Sequence, residues 1–297
     1  MTPQRRTRTA AAALVWIGPA LALIAAVVVF PACYMVWTST RTVSHYGRDL
    51  GPAGLANFRA LLRIDGIGQV FAHTAIWVTT VVAATLVCSL ALAQFLSKDF
   101  PGRKAIRIAI LVPWAASVVM TTTVVYYLLD PNVGLVNRFL VDVGLLDHGY
   151  GFTKQPLPAF ACAIGVAVFV SIPFTTYTIL AGLNAIPADV LEAAAIDGAS
   201  PWQRYRHVVL PQLRPAIGVA TIINLINVFN SLPILRVLAG DIPDTSTDTT
   251  TTLTFALIQQ DQQLDVAAAL SVLNFLLIAT VIAGYVRVAR PLDQADS

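Results

Sequence analysis

The feature that most constrains this chain is a series of long, uncharged, apolar runs separated by short polar segments. Several of these runs exceed the roughly eighteen residues that an α-helix needs to cross the hydrocarbon core of a bilayer. Only 12% of the 297 residues are charged and 57% are hydrophobic, whereas soluble domains carry about 25% charged residues. So few charged side chains cannot cover a surface in water, and the chain is therefore predicted to be a membrane protein.

Six apolar runs are long enough to span a bilayer, which predicts an all-α, polytopic membrane protein with one transmembrane domain over residues 1–297. The predicted spans are about 11–38, 70–96, 108–129, 158–180, 216–239 and 266–286. The first run is much longer than the apolar region of a signal peptide, which has about 7–15 residues, so it is interpreted as a span. Pro31 is expected to kink that helix or to mark its outer end, and Pro113, Pro173 and Pro233 interrupt later spans.

The distribution of basic residues predicts the orientation of these spans. With six spans, the N-terminal tail, the second-to-third loop, the fourth-to-fifth loop and the C-terminal tail share one side, and they hold three, four, three and two Lys and Arg residues. The loops on the other side hold four, two and one. Because basic segments are retained in the cytoplasm, both termini and the loop before the fifth span are predicted to be cytoplasmic.

The loop at residues 182–215 is the longest charged and proline-containing segment between two apolar runs. Pro187 favours an early helical position and is predicted to open a first short helix. Asp197–Gly198 favours a turn. Ser200–Pro201 then supplies the N-cap and the first residue of a second helix. The loop is therefore predicted to fold as two short helices joined by a turn.

The second of these helices carries aromatic and apolar side chains along one side. Trp202, Tyr205 and either Val208 or Val209 recur at spacings of three to four, as neighbours on a helix surface do. Pro211 and Pro215 are expected to end the helix. A helix-turn-helix with such a face, in a loop of a membrane protein, is predicted to be a docking element.

The loop contains Glu192-Ala193-Ala194, followed by Gly198 and then by Val208 and Leu210-Pro211. This spacing resembles the EAA loop of bacterial ABC importer permeases, and the chain resembles, from end to end, a six-helix carbohydrate importer permease of the maltose and glycerol-3-phosphate type. The resemblance implies that the loop is cytoplasmic and couples the permease to a cleft of an ATP-hydrolysing subunit. The residues to which it assigns this coupling role are Glu192, Ala193, Ala194, Asp197, Gly198, Trp202, Tyr205, Leu210 and Pro211.

The resemblance also implies a role for individual side chains of the loop. Glu192 would pair with a basic group in the ATPase cleft, although it could instead only stabilise the positive end of its own helix. Ala193 and Ala194 would let two backbones approach closely. Trp202 and Tyr205 would be the aromatic anchors of the interface.

Polar side chains inside the spans are candidates for a substrate pathway. Asn224, Asn227 and Asn230 recur at every third residue, so they share one broad helix face. Their amides could hydrogen-bond sugar hydroxyls, and aromatic side chains could stack on a sugar ring; the aromatic candidates are Trp114, Tyr126, Tyr127, Phe174 and Phe229. Packing is the alternative, since asparagines can join neighbouring helices and aromatic residues can face lipid or fill a core.

Further segments that look like pieces of a maltose-type permease are GLANF, LVPW, DPNVGLVNRFL and AGLNAIP. The resemblance implies a bacterial inner-membrane protein whose partners are a second homologous permease, a dimer of ATP-binding subunits, an extracytoplasmic substrate-binding protein and membrane lipid. It implies no cofactor on this chain, because the partner subunits bind ATP and Mg²⁺. One departure is the threonine-rich segment at residues 244–252, where such permeases often carry a glycine-rich stretch.

Other functions find little support in the sequence. It contains no H-E-x-x-H, G-x-S-x-G or phosphate-binding G-x-x-x-x-G-K-[ST] motif, so neither an embedded enzyme nor an ATPase is indicated, and no catalytic or metal-binding residue is assigned. It shows no basic, aromatic patch for nucleic acid and no ionisable pair within a span that would couple transport to protons or sodium. A permease for a non-sugar solute and a passive membrane scaffold remain as alternatives.

Overall fold

The computed structural model describes residues 16–240, 242 and 244–294, and these residues are predominantly helical, as predicted. They form two compact units: residues 16–65 with 254–275, and residues 66–253 with 276–294. Each unit is considered separately below.

The first unit begins with helix α1 (Trp16–Ser39), followed by strands β1 (Arg41–Val43) and β2 (Asp49–Pro52) and by helix α2 (Ala56–Leu61). The strands pair in antiparallel fashion, with Arg41 opposite Pro52. This hairpin is a departure from the all-helical prediction within the described residues. It is held by an ion pair between Arg41 and Asp49, which lowers the pKa of the Asp49 carboxyl, and by the buried Asn57 amide, which donates to the Arg41 carbonyl at 2.8 Å.

Helix α1 passes through Pro31 without ending there. Its segment Ala25–Val29 is a π-helix, and the N–H of Phe30 donates to the carbonyl of Ala25, five residues earlier. A proline removes one backbone donor and crowds the preceding turn, and a wider turn immediately before it accommodates the ring. The expected kink at Pro31 is therefore a change of helical pitch, and the span continues to Ser39.

The second unit contains most of the remaining helices, from α3 to α11. They are α3 (Ile67–Ser97), α4 (Arg103–Ala115), α5 (Val118–Leu128), α6 (Leu135–Asp142), α7 (Pro156–Asn184), α8 (Ala188–Ile196), α9 (Pro201–Gln212), α10 (Arg214–Phe229) and α11 (Leu232–Ala239). Helices α12 (Thr250–Gln259) and α13 (Leu264–Gln294) each continue from one unit into the other.

Four described helices are long and apolar enough to cross a membrane alone: Trp16–Ser39, Ile67–Ser97, Pro156–Asn184 and Leu264–Arg287. Two bent pairs also satisfy the criteria of length and composition when each is counted as one span. These pairs are Arg103–Ala115 with Val118–Leu128, bent by 95°, and Pro201–Gln212 with Arg214–Phe229, bent by 64°. The count is therefore four spans, or six with both pairs included.

The predicted third span, 108–129, is two helices rather than one. Ala116 and Ser117 are extended, with ψ angles of 149° and 131°, and separate α4 from α5. Pro113, which was expected to interrupt the span, lies inside α4 three residues before the break. Because proline cannot donate to the carbonyl four residues earlier, the last turn of α4 is held by fewer hydrogen bonds than an ordinary turn.

The predicted fifth span, 216–239, is also interrupted. Helix α10 ends at Phe229 and α11 begins at Leu232, with Asn230 and Ser231 between them. Pro233 occupies the first turn of α11, where its missing N–H leaves no hydrogen bond unmade. The span is thus interrupted beside Pro233, and the proline lies at the start of the second helix.

The core of the second unit is built where α3 packs along α7. Ala159, Ala163 and Ala167 are buried at a spacing of one turn on α7. Trp77 and Val81 of α3 are buried in the same core. Small residues at every fourth position let two helices approach closely, and in a bilayer this packing, rather than exclusion of water, stabilises the pair.

Candidate functional site

The predicted docking loop does form two short helices, α8 and α9. Pro187 is extended, with ψ of 139°, and is the N-cap rather than the first helical residue, so α8 begins at Ala188. Asp189 lies in its first turn, where a carboxylate complements the helix dipole. Glu192 lies one residue beyond that turn and is exposed.

The turn between the two helices is a Schellman motif centred on Gly198. Gly198 has a φ of +78°, and its N–H donates to the carbonyl of Ala195 at 3.1 Å. The N–H of Ala199 reaches back to Ala194, also at 3.1 Å, which satisfies two carbonyls at the end of α8. Glycine is therefore required at position 198 for its backbone conformation. Lack of space is not the reason, because an added Cβ would meet no atom within 4 Å.

Helix α9 starts as the sequence predicts. Ser200 and Gln203 form a capping box, in which the Ser200 N–H donates to Gln203 Oε1 at 2.8 Å and the Gln203 N–H donates to Ser200 Oγ at 3.4 Å. Pro211 does not end this helix, because a π-helical turn at Tyr205–Val209 accommodates it, as at Pro31. The helix ends at Gln212, and Pro215 lies in the first turn of α10.

Several apolar side chains of the loop are exposed. Trp202 is 66% exposed and its ring stacks on that of Tyr205, with 6.0 Å between centroids. Ile196 is 86% exposed and lies one turn after Glu192 on α8, hence on the same face. The sequence analysis missed Ile196, although a large aliphatic residue beside the Asp-Gly turn was a usable signal. Exposed aromatic and aliphatic groups beside a carboxylate are typical of a docking surface.

The opposite side of the loop packs against the long helices α3 and α7. Val209 and Leu213 are buried against Ala93 and Leu96 of α3 and against Ile179 and Leu180 of α7. Tyr205 packs at the edge of this cluster, and its burial raises the pKa of the phenol. The cluster joins the two short helices of the loop to two long helices of the same unit.

A close approach of backbones strengthens this junction. At the end of α7, a Cβ added to Gly182 would lie 2.6 Å from the Cβ of Ala216, in the first turn of α10. Any side chain at position 182 would force the two helices apart. The loop is therefore packed tightly at both ends against α3, α7 and α10.

An intramembrane cavity of about 380 Å³ lies in the second unit, beside the two helix breaks. This volume lies within the range of small-molecule sites. The lining is wholly uncharged and consists of Trp114, Val118, Ala167, Val170, Ser171, Phe174, Ile223, Asn224, Asn227, Val228, Ser231, Pro233 and Ile234. The structure thus brings together four of the predicted pathway residues, Trp114, Phe174, Asn224 and Asn227, with two serines that the sequence analysis missed.

The asparagines of α10 have different environments, which the sequence pattern could not distinguish. Asn224 is 3% exposed, and its Nδ2 donates to Thr175 Oγ1 of α7 at 2.7 Å, so it joins two helices as well as lining the cavity. Asn227 is exposed, and no hydrogen bond to another described residue holds its amide. Asn227 is therefore free to bind a solute.

Asn230 does not line this cavity. Its Nδ2 donates at 2.8 Å to the carbonyl of Ile226, which also accepts from the Asn230 backbone N–H at 3.2 Å, so the side chain adds a second hydrogen bond where α10 stops. Other side chains do the same at this break: Trp77 Nε1 donates to the Val228 carbonyl at 2.9 Å, and Thr251 Oγ1 donates to the Phe229 carbonyl at 2.8 Å. A helix can end inside a membrane only when such donors replace the missing backbone bonds.

Three aromatic candidates, Tyr126, Tyr127 and Phe229, also lie outside the cavity lining. Phe229 is 6% exposed and belongs to the core of the second unit, so its ring is not available for stacking on a solute in this structure. Tyr126 lies on α5 and makes an edge contact with Tyr127 and a hydrogen bond of 3.5 Å with Lys154.

The threonine-rich segment turns inward and packs on helices of the second unit. The N–H of Thr250 donates to Thr74 Oγ1 at 2.9 Å, and Thr249 caps α12 through the N–H and hydroxyl of Thr252. Together with the bond from Thr251 to Phe229, these contacts give the segment a structural role. The Thr251 hydroxyl takes the place of a backbone donor to the Phe229 carbonyl at the end of α10.

Comparison with known proteins identifies the family to which this chain belongs. The family described as "binding-protein-dependent transport system inner membrane component" matches residues 85–289. A probable ABC transporter permease protein of Brucella suis biovar 1 is 36% identical over 279 residues, which cover 93% of this chain and 96% of the relative. The trehalose/maltose transport system permease protein MalF of Thermococcus litoralis is 28% identical over 98% of this chain and 97% of its own.

A solved structure has the same fold. It is a bacterial alginate ABC transporter in complex with an alginate pentasaccharide-bound periplasmic protein. The TM-score is 0.82, with 97% of this chain and 96% of that chain covered at 20% identity.

Proposed function

Because the chain belongs to the family of binding-protein-dependent transport system inner membrane components, we propose that it forms half of the translocation pathway of an ATP-driven carbohydrate importer. The membrane-embedded permease class follows from the family. The carbohydrate cargo is supported by relatives whose names specify trehalose and maltose. The observation that carries the proposal is the uncharged cavity lined by Trp114, Phe174 and Asn227 in the same unit as the docking loop.

The chemistry of the cavity suits a sugar. An indole and a phenyl ring can cover the apolar face of a pyranose, while amides and serine hydroxyls can hydrogen-bond its hydroxyl groups. Its lining offers no charge to offset the desolvation of an ionic solute.

Coupling to ATP hydrolysis is assigned to the loop formed by α8 and α9. Glu192, Ile196 and Trp202 are exposed for docking to an ATP-binding subunit, and Val209 and Leu213 are buried against α3 and α7. A movement of the docked subunit is thereby delivered to the helices that surround the cavity. A well-packed cluster transmits such a displacement because it is nearly incompressible.

The proposal includes the partners and the orientation. A second homologous permease completes the pathway, a dimer of ATP-binding subunits with ATP and Mg²⁺ supplies energy, and an extracytoplasmic binding protein delivers the sugar. The excess of basic residues on one side supports cytoplasmic termini and a cytoplasmic docking loop in the inner membrane.

The test is transport by the complete complex. The tagged chain is purified with its co-expressed partner subunits, reconstituted in proteoliposomes with the binding protein, and supplied with radiolabelled trehalose, maltose or an amino acid mixture. ATP-dependent uptake of a sugar is expected. Uptake of amino acids only, or failure of the chain to co-purify with an ATP-binding subunit, would contradict the proposal.

A further inference from the structure

We propose that Thr175, which lies behind the wall of the cavity on α7, is a positioning residue that fixes which end of the Asn224 amide faces the transported solute. The inference rests on the proposed function, because it takes the 380 Å³ cavity to be part of the substrate pathway. Thr175 itself is fully buried and is not a lining residue, whereas Asn224 lines the cavity. Thr175 therefore acts on a solute only through Asn224.

The direction of the hydrogen bonds around Thr175 is determined by its single hydroxyl hydrogen. Thr175 Oγ1 donates that hydrogen to the carbonyl of Ser171 at 2.9 Å. The same oxygen lies 2.7 Å from the Asn224 amide, and with its hydrogen already used it can only accept there. The group that faces Thr175 must consequently be the NH₂ of Asn224.

The second hydrogen of that NH₂ group is also used. Asn224 Nδ2 donates to the carbonyl of Ala220 at 2.9 Å, one turn earlier on α10. If the amide were rotated, its Oδ1 would lie against two acceptor oxygens, those of Thr175 and Ala220, and no hydrogen would lie between them. This orientation is excluded by repulsion between acceptors, so the amide has one fixed orientation.

The consequence is a fixed acceptor at one point of the cavity. Asn224 Oδ1 accepts no hydrogen bond from another described residue. A solute hydroxyl can donate to it, whereas the oxygen of a phosphate or carboxylate would be repelled. No lysine, arginine or histidine belongs to the cavity lining to compensate for that repulsion. The geometry thus selects an uncharged polyhydroxylated solute over its phosphorylated or acidic counterpart.

The chain offers a matched control in the next residue. Thr176 is also fully buried on α7, but its Oγ1 has no hydrogen-bond partner among the described residues. Thr176→Val and Thr175→Val remove the same atom from neighbouring positions of the same helix. Only Thr175→Val removes one of the two acceptors that hold the Asn224 NH₂ group, which leaves the Ala220 carbonyl as the single contact that orients the amide.

The experiment measures initial rates of trehalose uptake by the complete reconstituted transporter with its binding protein. Thr175→Val is expected to raise KM by roughly five- to tenfold, the effect of one hydrogen bond, with the maximal rate and basal ATP hydrolysis unchanged. Thr175→Ser is expected to restore KM, because its hydroxyl can make the same two bonds. Thr176→Val is expected to leave KM unchanged.

Equilibrium binding to the purified complex without the binding protein tests selectivity directly, with trehalose and trehalose 6-phosphate as probes. The wild type is expected to bind only the neutral sugar, and Thr175→Val is expected to reduce that discrimination. Trehalose uptake by Thr175→Val with the wild-type KM, no rescue by serine, or an equal effect of Thr176→Val would overturn the positioning role and leave the importer proposal standing. Uptake of a non-sugar solute with the same dependence on Thr175 would refute the sugar cargo and retain the positioning role.

Discussion

The indole Nε1 of Trp77 donates to the carbonyl of Val228 at 2.9 Å and so joins the middle of α3 to the last turn of α10, where that helix stops inside the apolar region. Trp77 is fully packed, and its ring also contacts Phe160 at 5.8 Å between centroids. One side chain thus fills the core and gives a second hydrogen bond to a carbonyl that also accepts from the Ser231 N–H at 3.2 Å. The contact supports the end of α10 beside the cavity.

Replacing Trp77 with Phe is predicted to destabilise the chain. The substitution removes the donor to Val228 and leaves a small void, which together cost about 1–3 kcal/mol. The measurement is the midpoint of thermal unfolding of the purified protein in detergent. Trp114→Phe serves as the control, because Trp114 is 60% exposed and faces the cavity. Equal midpoints for the Trp77→Phe variant and the wild type would refute this role.

Gly198→Ala is predicted to weaken docking of the ATP-binding subunit. An alanine at a φ of +78° costs about 1–2 kcal/mol, although its methyl group meets no neighbour in the structure. If the substituted loop relaxes out of this turn in the free permease and must regain it on docking, the affinity falls roughly five- to thirtyfold. Affinity is measured by titrating purified ATP-binding subunit onto the permease in nanodiscs. Gly198→Asn, which tolerates the left-handed conformation, is expected to bind more tightly than Gly198→Ala; the reverse order would contradict a conformational requirement.

Glu192→Lys is predicted to abolish uptake or to uncouple it from ATP hydrolysis, while expression remains normal. The reason is the loss of the carboxylate expected to pair with a basic group of the ATP-binding subunit. Asp189→Lys is the control, because it reverses a charge three residues earlier on α8, in the first turn, where the loss of the dipole interaction costs about 0.3–1 kcal/mol. Uptake and ATPase activity are measured on both variants. Normal transport by the Glu192 variant, or equal loss in both, would remove Glu192 from coupling.

Asn227→Leu is predicted to raise the KM of uptake or to abolish uptake while the subunits still assemble, because the exposed amide lines the cavity. Asn230→Leu, one turn later, is predicted to lower the unfolding midpoint and to leave KM unchanged, because that amide instead satisfies the Ile226 carbonyl. Uptake kinetics and thermal unfolding are measured on both. If Asn227→Leu keeps wild-type kinetics, the residue is not part of the pathway.

Asp248→Asn is predicted to stabilise the chain increasingly as pH rises. Burial is the main reason that the pKa of Asp248 lies above its ordinary value of 3.8, although Thr252, Arg236 and His73 act in the opposite direction. The folded chain therefore holds this proton over a pH interval in which the unfolded chain has released it, and the free energy of unfolding decreases as pH rises through that interval. Asparagine does not titrate. The difference between the two unfolding midpoints should grow from pH 4 to pH 7, and a difference that shrinks would mean that the neighbouring cations dominate.

Local chemistry determined the parts of this protein that depend on a few consecutive residues. The uncharged runs dictated long helices, Asp197–Gly198 dictated the turn, and the Ser200–Pro201 pair dictated the start of α9, because each is decided by backbone conformation and hydrogen bonds within one or two turns. The resemblance of the 182–215 loop to a known coupling motif identified the family, which the comparisons confirmed.

Only the tertiary structure decided what the regularly spaced polar residues do. Asn224, Asn227 and Asn230 are equivalent in spacing, yet one joins α10 to α7, one faces the cavity and one satisfies a carbonyl at a helix break. Their roles depend on Thr175 and on where α10 stops, and that stop is supported by donors from Trp77 and Thr251, distant in the chain. A one-dimensional pattern records which face a residue occupies, whereas the partner across that face is set by packing between helices far apart in sequence.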